Sequence, residues 1–123
     1  VLSDLGKPSL RHMTEQIEVC GWIIPESNFL VIGIRTFEYK WELSALSVSS
    51  PEGSTVSIEK VSPSHMFEKG EVFLDSIEPE AKKFLRLEIG GSPSLIELEV
   101  SGLIAGEPFA VVPREAIVFG KND

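Results

Sequence analysis

The sequence predicts an all-β domain, an antiparallel two-layer sandwich of about seven to nine strands. Three observations carry that reading. Across Glu71–Gly91, Val72 and Leu74 alternate with Glu71, Phe73 and Asp75, and after Glu78-Pro79-Glu80 the residues Leu85, Leu87 and Ile89 alternate with Arg86 and Glu88. Gly and Pro turns punctuate the chain at short intervals, as between strands. No helical period runs beyond a turn or two, and residues 79–83 are the best place for one turn. A barrel is the main alternative to the sandwich.

The elements follow in order. Residues 1–15 have no clean period and are broken by Gly6 and Pro8, so they read as an N-terminal arm or edge segment packing on the body through Leu2, Leu5 and Leu10. Residues 16–120 then form the single sandwich domain. In residues 16–24, Ile17 and Val19 face one way and Glu18 the other. Gly21 shifts the phase to Trp22 and Ile24, as a bulge would. Pro25-Glu26-Ser27-Asn28 is a turn. Residues 29–36 are apolar on both phases, with Leu30, Ile32 and Ile34 against Phe29, Val31 and Gly33. Residues 37–50 alternate through Tyr39, Trp41, Leu43 and Ala45, then change phase to Leu46 and Val48. Residues 55–61 form a strand with Val56 and Ile58 on one face, and residues 62–70 a loop plugged by Met66 and Phe67. Ile96, Leu98 and Val100 mark the strand after the central pair, and residues 109–112 and 116–119 are short β-prone runs.

At 123 residues the chain is long enough to bury one core without disulfides or metal. Its net charge of −8 argues against nucleic acid or an anionic membrane as partner, since either wants clustered Lys and Arg. A single cysteine, Cys20, excludes an internal disulfide. A chain starting at Val1 reads as a processed product or an excised piece, so a membrane anchor outside it is compatible with the sequence.

Two segments bear a further likeness: Leu43-x-x-Leu46-x-Val48-x-x-Pro51-x-Gly53, and Gly70–Ile89 with its Ile77-Glu78-Pro79 connection. Their order resembles immunoglobulin-like sandwich domains of secreted and surface microbial proteins, of the cell-adhesion-related type. The resemblance covers residues 43–89. It departs at Glu80 and Asp75, where that family usually has glycine. It implies an immunoglobulin-like fold and an extracellular or cell-surface setting, with a cytoplasmic setting as alternative because cytoplasmic sandwich domains of the sperm-protein and ciliary type use a related connection, and it brings no catalytic residue.

No catalytic, metal or cofactor site is expected. His12 and His65 are the only histidines, and a triad of Ser62 or Ser64, His65 and Asp75 lacks a nucleophile elbow. The carboxylates are mostly Glu spaced singly on strands, whereas a calcium loop wants clustered Asp and Asn. Trp22, Tyr39 and Trp41 are the aromatics from which a carbohydrate platform could be built, although Tyr39 and Trp41 fall on an apolar, core-like phase. The expected function is a non-catalytic protein–protein interaction or assembly module, with a carbohydrate-binding module as alternative and a small β enzyme as a further one. For the leading reading the docking candidates are Phe29, Val31, Phe73 and Phe84, all in the outward phase of their strands, to be covered either by the N-terminal arm through Leu2, Leu5 and Leu10 or by a protein partner or a second copy.

Overall fold

Among the described residues, alternation of apolar and polar side chains is realised as eleven strands in antiparallel sheets. A computed structural model describes residues 8–24, 27–51, 53, 55–91, 95–113 and 117–118. One sheet has the order β1 (Leu10–Met13), β2 (Ile17–Ile23), β3 (Phe29–Thr36), β8 (Lys82–Gly91), β5 (Val56–Ser62). The other has the order β10 (Glu107–Val111), β9 (Leu95–Ile104), β4 (Trp41–Ser49), β7 (Glu71–Ile77), β6 (Phe67–Glu68), and β11 (Ile117–Val118) pairs with the start of β9. The expected seven to nine strands are exceeded by two at the upper bound, by β1, an edge strand from the predicted arm, and by β6. The arm's Leu2 and Leu5 lie outside the described residues.

The core lies between the layers, where every second residue of each long strand points inward. Leu30, Ile32, Ile34, Leu85, Leu87 and Ile89 of one sheet meet Leu46, Val72, Leu74, Ile96, Leu98 and Val100 of the other. Each fully buried Leu or Ile contributes roughly 1.5–3 kcal/mol relative to exposure.

Glu71–Gly91 supplies one strand to each layer, so Glu78-Pro79-Glu80 is a crossover between sheets. Fully buried Thr36 holds it. Its N–H donates to the Ala81 carbonyl at 2.9 Å, its Oγ1 accepts from the Ala81 N–H at 3.1 Å, and its hydroxyl donates to the Glu78 carbonyl. The two departures from the family pattern fall at left-handed backbone positions, Asp75 at φ 60° and Glu80 at φ 53°. The conformation that favours glycine is therefore kept here by other residues.

Three expectations are corrected. The β2–β3 register runs unbroken from Ile17 opposite Thr36 to Ile23 opposite Leu30, so Gly21 makes no bulge. Both phases of β2 are apolar because its outer face also carries a cluster, and Gly21 stays inward, where an added Cβ would come within 2.7 Å of Ile117 Cδ1. The irregularity of β4 falls between Trp41 and Ala45, earlier than the phase change suggests. Leu43 bulges there at φ 51° and is 74 % exposed, a conformation costing a non-glycine residue roughly 1–2 kcal/mol. Met66 and Phe67 do not plug a loop: Met66 is 77 % exposed and Phe67 belongs to β6, because the layer beneath is already filled by Val72 and Leu74.

Candidate protein-docking face

The registers of β1, β2, β3, β8 and β5 set the outer face of the five-stranded sheet as a grid of cross-strand rows. One row reads Met13, Glu18, Arg35, Lys82; the next reads Arg11, Cys20, Gly33, Phe84; the third reads Trp22, Val31, Arg86, Ser62. Phe29 and Glu88 begin a fourth. An apolar centre is thus framed by Arg11, Arg35, Lys82 and Arg86.

Gly33 is the floor of that centre. The rings of Trp22 and Phe84 close over it, 6.1 Å apart and tilted by 42°, and a Cβ on Gly33 would lie 2.8 Å from Phe84 Cε1 and 3.0 Å from Trp22 Cζ3. Cys20 and Trp22 are buried, whereas Phe29, Val31 and Phe84 are half-buried. The guanidinium of Arg86 lies over the Phe29 ring at 4.8 Å, and that of Arg35 over Phe37 at 5.0 Å. Fully buried Glu18 accepts from Arg11 Nε at 2.7 Å and faces Arg35 at 3.6 Å, so the carboxylate inside the basic frame is already engaged.

Burial, and next the neighbouring Glu18 carboxylate, push the Cys20 thiol up to about 11 from 9.0. The unfolded chain loses this proton first as pH rises. Cys20 therefore contributes stability that is fully present below pH 9.0 and is lost as pH climbs toward 11. We expect urea midpoints at pH 8 and pH 10.5 to differ in that direction, and a thiol reagent at pH 8 to label Cys20 only on unfolding. Rapid labelling of the folded chain would mark an accessible thiolate instead.

The fold is similar to that of a GAE domain. The crystal structure of the GAE domain of GGA2p from Saccharomyces cerevisiae matches with a TM-score of 0.56 at 12% identity, over 88% of this chain and 97% of that one. No family model and no curated protein matches the chain. The likeness establishes the sandwich and leaves the face to be read from its own residues.

Of the sequence candidates, Phe29, Val31 and Phe84 share this face, while Phe73 stands opposite Ala45 on the outer side of the other sheet and cannot extend the patch. The sugar platform is not assembled. Trp22 is in the floor just described, Trp41 is fully buried in the core, and Tyr39 is 49 % exposed in the β3–β4 connection. His65 Nδ1 lies 2.8 Å from the Pro63 carbonyl, to which it donates, and its Nε2 is 3.5 Å from Lys83 Nζ, so Asp75 does not orient it. Among the described residues, no three His, Cys, Asp or Glu side chains gather as metal ligands would. The four framing bases went unrecognised in the sequence, because each strand carries only one or two and register alone assembles them.

Proposed function

We propose that the chain is a non-catalytic protein-interaction module. It holds an acidic segment with an apolar anchor against the outer face of the five-stranded sheet. The observation that carries this reading is the frame of Arg11, Arg35, Lys82 and Arg86 around half-buried Phe29, Val31 and Phe84, on a chain whose net charge is −8. Solubility alone does not call for a basic, aromatic patch on an acidic protein. Arg35 and Arg86 are already laid on aromatic rings, which lowers the entropy lost when they engage carboxylates. An extracellular or cell-surface setting belongs to the same proposal and is supported by the resemblance of residues 43–89.

Calorimetric titration with acidic peptides carrying a Phe or Leu anchor, and with counterparts in which Lys replaces each acid, tests the reading. Binding of the acidic set alone, weakening with salt, is the expected result. Phe29→Ser with Val31→Ser should melt close to the parent and weaken binding at least tenfold, equivalent to about 1.4 kcal/mol. Equal binding of both peptide sets, or a large fall in melting temperature without a binding change, would remove the proposed face.

A further inference from the structure

Charge is divided between the two layers. The strands of the five-stranded sheet carry Arg11, Arg35, Lys60, Lys82, Lys83 and Arg86 against three carboxylates, Glu18, Glu59 and Glu88. The strands of the other sheet carry seven carboxylates and no Lys or Arg. A surface shaped only for solubility intersperses the two signs.

The acidic sheet also has an apolar relief. Phe73, Ala45, Ser101 and Ala110 form one cross-strand row, and its small central members leave a furrow. Beside it a depression of about 450 Å³ is lined by Leu43, Leu103, Pro108 and Ala110, with Leu43 held out by its bulge. On the furrow's other side the next row carries Glu71 and Glu99 on either side of Ser47. Side chains of about the size of Phe29, Val31 and Phe84 suit such a furrow, and Arg and Lys suit its acidic wall.

Resting on the docking face proposed above, we infer that its acidic partner is a second copy of this chain, seated by the outer face of its acidic sheet. Phe29, Val31 and Phe84 of one copy enter the furrow beside Leu43 and Leu103 of the next. Lys82 and Arg86 meet Glu97 and Glu99. The two faces lie on opposite sides of one sandwich, so each contact leaves a basic face free at one end and an acidic face at the other. Association of this heterologous kind propagates as a stack unless it closes into a ring.

Sedimentation velocity of the full chain, at low and high salt over a range of concentrations, is the test. At low salt the mass should rise with concentration, and at 0.3 M salt the association constant should fall at least tenfold as screening shortens the reach of the charges. Glu97→Lys with Glu99→Lys, and separately Lys82→Glu with Arg86→Glu, should each be monomeric and melt as folded proteins. Mixed in equal amounts they should associate again, since the first variant's intact basic face still meets the second's intact acidic face, and the two reversed faces are opposite in charge to each other. Renewed association in the mixture is thus the expected result, and a mixture that stays monomeric overturns the inference. A wild-type chain monomeric at low salt overturns it as well. If that chain still binds the acidic peptides, the docking face stands and only the second copy is wrong; if it binds neither, both readings fall.

Discussion

Trp41→Ala is expected to cost about 3–5 kcal/mol of stability, the range for removing a large aromatic ring from a core. Trp41 is fully buried on the inner phase of β4, opposite Ile77, with its ring edge-on to Phe109 at 6.1 Å. A Cβ on Gly102 would meet its Cε3 at 3.1 Å, so β9 runs close over the indole and cannot collapse far into the space left behind. Trp41 Nε1 finds no acceptor among the described residues. Trp41→Phe keeps a ring and removes that unpaired donor, so its cost should be distinctly smaller than that of the alanine variant. Urea denaturation of the three proteins decides the matter. An alanine variant with the parent's midpoint would place Trp41 outside the core.

Gly33→Val should cost about 1–3 kcal/mol by overpacking and weaken docking of acidic segments at the same time. Valine is the better strand former, and on propensity alone the exchange would stabilise β3 by up to about 1 kcal/mol. Packing opposes it, because the new Cβ would stand 2.8 Å from Phe84 and 3.0 Å from Trp22, nearer than carbon atoms in contact come. One or both rings must leave the floor of the basic, aromatic face. Trp22, only 6 % exposed in the parent, then enters water, and a red shift of tryptophan emission reports it. Raised stability with unchanged emission would show that the rings have room to spare.

Strand positions were legible in the sequence because a half-buried strand must alternate, and β7, β8 and β9 do so where expected. Local composition misled where both phases are apolar. Around Gly21 and again at Ala45–Leu46, a change of apolar phase looks the same whether the strand bulges or its second face is covered. Only the partner strands distinguish the two cases, and they place a straight register at Gly21 and a bulge at Leu43. The candidate site was legible by halves. Phe29, Val31 and Phe84 stood out as apolar residues in an outward phase, whereas Phe73 met the same criterion and lies on the opposite layer.

The sequence by itself determined the all-β class, the buried phase of β3, β7, β8 and β9 and the acidity of the chain, since these depend on side-chain period and composition. Only the tertiary structure decided that Glu71–Gly91 divides between two sheets, that Arg11, Arg35, Lys82 and Arg86 frame one face, and that the acidic side chains gather on the other. The physical reason is that strand order and register are set by long-range pairing. Residues tens of positions apart become neighbours about 5 Å away across a ladder, a relation no local period encodes.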